Sequence, residues 1–96
     1  MIVTAEQFDA EWRKAVDSVM NEQQREAFGL ARRAQGLSFE AIAFQSFRRH
    51  PRQSRIVRRA LEMGTCPFEL LQMFARDAYE IVTGEKLPEF AGAEAN

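Results

Sequence analysis

Arginine is the residue with which this sequence could do the most chemistry. Six arginines and no acidic residue lie between positions 48 and 59. A guanidinium is planar and always charged, and it can donate two parallel hydrogen bonds to a phosphate or a carboxylate. The segment therefore predicts a surface for an anionic partner, which we expect to be duplex DNA or an acidic protein surface.

The remaining reactive side chains do not indicate catalysis. The chain has one histidine, His50, and one cysteine, Cys66. One imidazole and one thiol cannot complete a structural zinc site, which takes four ligands, and no nucleophile signature surrounds Cys66. A glycine-rich phosphate loop and a nucleophile elbow are both missing from the sequence. We expect a non-enzymatic protein without metal or cofactor, in which Cys66 is a structural thiol.

Charge is strongly segregated along the chain, although the net charge is only −1. Residues 31–60 carry eight arginines against the single acid Glu40, whereas residues 1–30 and 61–96 are both acidic. A basic centre between acidic ends is typical of proteins that bind anions. The alternative is internal neutralisation, in which the arginines pair with carboxylates that follow them, namely Glu62, Glu69, Asp77 and Glu80.

Length and composition indicate one small globular domain. The chain has 96 residues, of which 46% are hydrophobic, and this is enough for a packed core. A lone cysteine excludes an intramolecular disulfide, and no apolar run approaches the roughly 18 residues of a membrane span. The N-terminus does not resemble a signal peptide. We expect a cytoplasmic protein with one helical domain over residues 1–90, a frayed tail over 91–96 and no membrane partner.

Apolar residues recur at helical spacing and predict an all-α fold, a compact bundle of four to five short helices with a helix-turn-helix-like core. Thr4 with Gln7 and Asn21 with Gln24 form cap-like pairs before the first two helices. Whether those two helices are continuous stays open. Ser38 caps a third helix, a turn follows over residues 48–52, and a fourth helix covers about 53–63. Thr65 or Cys66 caps a fifth helix, over about 67–83.

Two stretches carry a resemblance to a known family. They are Gln24-Arg25-Glu26-Ala27-Phe28 and Gly36-Leu37-Ser38-Phe39-Glu40-Ala41-Ile42-Ala43. The segment 24–61 resembles the C-terminal promoter-reading domain of bacterial sigma factors, a helix-turn-helix domain. The resemblance implies that Leu37, Ile42 and Ala43 pack inward and that the fourth helix reads DNA. The sequence departs from the family after Phe47, where arginines replace the usual glycine turn.

The resemblance also implies roles for the residues around the fourth helix. The first residues of a recognition helix reach base edges in the major groove, and arginine and glutamine suit guanine and adenine there. Gln53, Ser54 and Arg55 are the candidates for this role, on the outer face of the helix. The candidates for phosphate contacts are Arg48, Arg49, Arg52, Arg58 and Arg59.

The fifth predicted helix supplies a second candidate surface. Its main apolar face comprises Phe68, Leu71, Ala75, Ala78 and Val82, but Leu70, Met73, Phe74 and Ile81 lie off that face. A helix that is apolar on two sides is either central to the fold or part of an interface. These four residues could form a homodimer seam. They could equally serve an adaptor or inhibitor of phage or mobile-element type that blocks a host protein or nucleoprotein complex. A purely structural bundle is the third hypothesis.

Overall fold

Five α-helices make up the part of the chain that the computed structural model describes, residues 3–88. They are α1 (Ala5–Ser18), α2 (Glu22–Gln35), α3 (Phe39–Arg49), α4 (Pro51–Glu62) and α5 (Phe68–Thr83). The predicted all-α bundle is confirmed. No helix among these residues is long and apolar enough to span a membrane. The predicted frayed tail, 91–96, lies outside the described residues.

Side-chain caps fix where the first three helices begin. The Thr4 hydroxyl accepts from the Gln7 backbone N–H at 3.1 Å, and the Gln7 side chain accepts from the Thr4 N–H at 2.9 Å. Asn21 and Gln24 form the same reciprocal pair, with both bonds at 2.8 Å. Such capping boxes satisfy donors that the first helical turn leaves free. Because Asn21 caps its own helix, α1 and α2 are two separate helices.

The fifth helix is the centre of the bundle, since all four other helices pack against it. Its residues Leu71, Phe74, Ala75 and Ala78 are completely buried. This corrects one expectation, because Phe74 belongs to the core and is not available as an interface residue. The second apolar side of α5 is covered within the chain: the Phe47 ring of α3 lies 4.7 Å from the Phe74 ring, edge to face.

The start of α5 differs from the expected cap. Pro67 occupies the cap position and makes no side-chain hydrogen bond there. The Thr65 hydroxyl instead donates to the Ala60 carbonyl at 3.0 Å, closing the end of α4. The prediction that Thr65 or Cys66 caps α5 was therefore wrong.

Hydrogen bonds from two buried side chains fix α3 against its neighbours. The Trp12 indole N–H donates to the Phe39 carbonyl at 3.0 Å, and the Ser46 hydroxyl donates to the Phe74 carbonyl at 2.7 Å. Trp12 and Ser46 are both fully buried, and a buried donor needs such a partner. The first bond ties α3 to α1 and the second ties it to α5, so the helix that leads into α4 is held at both ends.

Candidate nucleic-acid interface

The junction between α3 and α4 is a single residue, His50. The break predicted within 48–52 lies at His50 but is shorter than expected, because α3 continues through Arg49 and α4 begins at Pro51. Proline is well tolerated in the first position of a helix, where its missing N–H has no intrahelical partner to lose. His50 has φ −136° and ψ 74°, outside the helical region, which a following proline disfavours.

A single-residue junction is shorter than the three- to four-residue turn usual in helix-turn-helix motifs. A connection of the usual length, residues 36–38, joins α2 to α3 instead. It begins with Gly36 in the left-handed conformation, at φ 68°, and it ends with the cap residue Ser38. The glycine-containing turn thus lies one helix earlier than the resemblance implies.

The corner at His50 is anchored to the central helix. The His50 imidazole contacts the Asp77 carboxylate, and its ring centre lies 5.9 Å from that of Phe74. The neighbouring Arg49 guanidinium lies 3.7 Å from the Glu80 carboxylate. Both carboxylates belong to α5, so these contacts fix the position from which α4 leaves the core.

The buried side of α4 is centred on Val57, which is 1% exposed. Residues three and four positions apart share a helix face, which places Gln53 and Ser54 on the same side as Val57. Both are half-buried. The expectation that Gln53 and Ser54 lie on the outer face was therefore wrong.

The opposite side of α4 is strongly basic. We call Arg52, Arg55, Arg58 and Arg59 the arginine face; all four side chains are exposed. Arg48, at the end of α3, is exposed as well. Ile56 lies among these arginines and is 50% exposed. Of the eight residues predicted to bind an anion, the structure brings Arg52, Arg55, Arg58 and Arg59 together on one surface.

The arginine face lacks partners within the part of the chain that the structure describes. Within residues 3–88, no acidic residue forms an ion pair with Arg48 or with the four arginines of this face. Glu62 lines the same shallow depression, but its carboxylate does not approach a guanidinium within 4.0 Å. Of the four carboxylates expected to neutralise the cluster, Glu80 pairs with Arg49 and Asp77 contacts His50.

A second group of cations, between α1 and α2, differs in this respect. Arg13, Lys14 and Arg25 pair with Asp9, Glu11 and Asp17, at 2.8, 3.3 and 3.7 Å respectively. The Arg32 guanidinium donates to the Leu37 carbonyl at 2.9 Å and stacks on the Phe39 ring at 4.6 Å. Most of these cations are thus engaged in local contacts, whereas those of the arginine face are not.

Side chains that can ligate a metal ion are dispersed within residues 3–88. No group of three or more His, Cys, Asp or Glu residues there is arranged to hold a metal ion. Partial burial, and to a lesser extent the nearby Glu11 carboxylate, raise the pKa of the Cys66 thiol. A raised pKa reduces the fraction of thiolate, which is the nucleophilic form.

The predicted protein-interface residues are mostly part of the core. Besides the buried Phe74, Leu70 and Met73 pack against the core, and Ile81 is half-buried. The large apolar side chains that residues 3–88 expose most are Leu30, Phe44, Ile56 and Met63. Sequence reasoning missed Phe44. The available signal was its position on α3, outside the stripe formed by Ile42, Ala43 and Phe47.

The chain was compared with protein families, curated proteins and solved structures. No protein-family model, curated protein or solved structure matches the chain. The contacts formed within residues 3–88 do not account for the concentrated charge of the arginine face.

Proposed function

We propose that the protein is a non-enzymatic DNA-binding regulator that contacts the phosphate backbone of duplex DNA with the arginine face of α4. The observation that carries this proposal is the set of exposed arginines without an acidic partner among the described residues. Like charges held close together repel one another, and a polyanion that binds them removes this repulsion. Surface ion pairs stabilise a fold by only about 0–1 kcal/mol each, so stability alone does not call for such a cluster.

The dimensions of α4 suit the major groove. Its 12 residues correspond to a length of about 18 Å, and the major groove is wide enough to admit an α-helix. Arg55 and Arg59 lie one turn apart near the middle of the exposed side. Arg55 is the better candidate for a bidentate contact with guanine, and the exposed Ile56 suits a thymine methyl group. Arg48, Arg52, Arg58 and Arg59 would then contact phosphates.

A protein-binding adaptor or inhibitor is the second candidate function. The same arginines would meet carboxylates of an acidic protein surface, and Ile56 and Met63 would provide apolar contacts between them. These two side chains are 50% and 72% exposed. Interfaces between proteins usually have such apolar anchors within a polar surround, and this exposure is the observation that favours the second candidate.

Charge-matched variants separate a specific surface from general attraction. Arg52→Gln, Arg55→Gln and Arg59→Gln together remove three charges from the arginine face. Arg13→Gln, Lys14→Gln and Arg33→Gln remove three charges from the α1–α2 side. We expect the first variant to bind a mixed-sequence duplex at least about a hundredfold more weakly at about 50 mM salt, measured by fluorescence anisotropy.

The control variant is expected to bind DNA within about threefold of the wild type, because its substitutions lie away from the proposed contact surface. Equal losses in both variants would show that only net charge matters, and would overturn the assignment to α4. A wild-type chain that binds no duplex even at about 50 mM salt would reject the DNA proposal and leave the acidic-protein hypothesis.

A further inference from the structure

An apolar groove of about 620 Å³ opens between the start of α1, α3 and the end of α4. Its apolar lining includes Phe8, Ala43, Phe44, Phe47 and Leu61. Phe44 is 54% exposed at this groove although it lies in the middle of a well-packed helix. A concave, mostly apolar surface of this size is typical of a binding site.

The groove is also acidic. Glu6, Asp9 and Glu40 line it, and no basic residue is among the described residues that do. Arg13 neutralises Asp9 at 2.8 Å, but Glu6 and Glu40 have no ion-pair partner within residues 3–88. We call this feature the acidic groove. Its chemistry fits a segment that is basic and apolar at once.

The outer side of α4 has this complementary chemistry. Arg52, Ile56, Arg59 and Met63 follow one another at spacings of four, three and four residues and so form a single stripe along the helix. Ile56 and Met63 are two of the large apolar side chains that the described residues expose most. A basic helix with apolar side chains at this spacing is the form in which helices enter apolar grooves.

We propose that the acidic groove binds α4 of a second copy of this chain. Ile56 and Met63 of one copy would lie beside Phe44 of the other, with Arg55 and Arg59 near Glu6 and Glu40. The groove and α4 are neighbours in each chain, because the Val3 N–H donates to the Leu61 carbonyl at 3.2 Å. This adjacency allows the acidic groove of each copy to bind α4 of the other around a twofold axis, which gives a closed dimer.

The dimer buries the arginine face, so dimerisation and the proposed DNA binding compete for one surface. In the absence of DNA, the arginine face would be covered in the dimer. Binding to DNA would dissociate the dimer into monomers. The dimer itself does not depend on the proposed function, since it needs only the charges and apolar side chains of the two surfaces.

Two charge-reversed variants of the full chain test the dimer. A groove variant carries Glu6→Arg and Glu40→Arg, and a helix variant carries Arg55→Glu and Arg59→Glu. In sedimentation velocity at low salt, we expect wild type to dimerise with rising concentration and each variant to dimerise at least about tenfold more weakly. An equimolar mixture of the two variants is expected to dimerise again, because both contacts then pair opposite charges.

A wild type that stays monomeric up to millimolar concentration would overturn the proposal, as would a mixture that fails to restore dimers from folded variants. Glu6 and Glu40 lie in first helical turns, where negative charge is favourable, so folding is checked by circular dichroism. If the reversed chains do not fold, Phe44→Ser and Ile56→Ser replace them, and each must weaken the dimer by the same factor.

DNA binding by the groove variant separates this inference from the proposed function. The groove variant keeps the arginine face and is expected to bind duplex at least as tightly as wild type. If no chain binds DNA but the mixture still restores dimers, the proposed function fails and the dimer stands. If wild type and the groove variant bind DNA equally well as monomers, the helix variant binds it more weakly and no dimer forms, only the present inference fails.

Discussion

The His50 imidazole contacts the Asp77 carboxylate and thereby joins the α3–α4 corner to the central helix. His50 is the whole connection between the two helices, so this contact helps to fix the position from which α4 begins. The ion pair between Arg49 and Glu80, at 3.7 Å, adds a second tie to the same helix. The arginine face thus follows a corner that two side-chain contacts join to α5, and not a loop.

A double-mutant cycle measures how much this corner contributes to stability. We expect His50→Ala and Asp77→Ala each to lower the free energy of unfolding, with a coupling of about 0.5–1.5 kcal/mol between them. Urea denaturation of the two single variants and the double variant gives the coupling. Strictly additive losses would mean that the contact does not stabilise the corner.

Two phenylalanines provide a direct comparison of core and surface. Phe74→Ala removes a fully buried ring and is expected to cost about 3–5 kcal/mol of stability. Phe44→Ser removes a half-exposed ring and is expected to stay within about 0.5 kcal/mol of wild type, when unfolding is measured at a protein concentration too low for dimers. Similar losses from both substitutions would contradict the assignment of Phe74 to the core and Phe44 to the surface.

Two glycines should respond to alanine in opposite directions. Gly36 has φ 68°, where a Cβ is strained, and Gly36→Ala is expected to destabilise the fold by about 1 kcal/mol. Gly29 lies inside α2, and an added Cβ would meet the flexible Arg33 guanidinium at 3.2 Å. Since that guanidinium can move, Gly29→Ala is expected to stabilise the fold by about 0.5–1 kcal/mol. Thermal unfolding of both variants would show whether the signs differ.

Features that depend on neighbouring residues were predictable from the sequence. Three helices begin at caps whose hydrogen bonds join residues only three positions apart. The cap residues are Thr4, Asn21 and Ser38. The break between α3 and α4 was predicted at the right place but too long, because a proline can end one helix or begin another. The contact that holds this short junction joins His50 to Asp77, 27 positions away. Neighbouring residues in the sequence therefore do not reveal it.

The errors about the candidate surfaces have the same origin. Periodicity shows that α5 is apolar on two sides, but it does not reveal that Phe47 covers Phe74. On α3, the polar residue Ser46 occupies a fully buried position and donates to the Phe74 carbonyl, whereas Phe44 faces outward. The apolar stripe of α3 leaves Phe44 outside it, but it does not reveal the partner that the buried Ser46 hydroxyl has in α5.

The Cys66 thiol should react slowly with alkylating reagents near neutral pH. Its pKa is raised by burial and by Glu11, so less of the reactive thiolate is present than in an unfolded chain at the same pH. We expect iodoacetamide to modify the folded protein more slowly than the urea-unfolded protein, with the rate increasing as pH rises toward the raised pKa. Faster reaction in the folded state would contradict the shift.

The salt dependence of duplex binding tests the central claim most directly. If Arg48, Arg52, Arg58 and Arg59 contact phosphates, the logarithm of the binding constant falls linearly with the logarithm of salt concentration, by about 0.9 for each phosphate contacted. Four such contacts give an expected slope of about −3.6 for wild type, and Arg58→Gln is expected to make the slope smaller by about one. No binding at about 50 mM salt, or a slope that Arg58→Gln leaves unchanged, would contradict it.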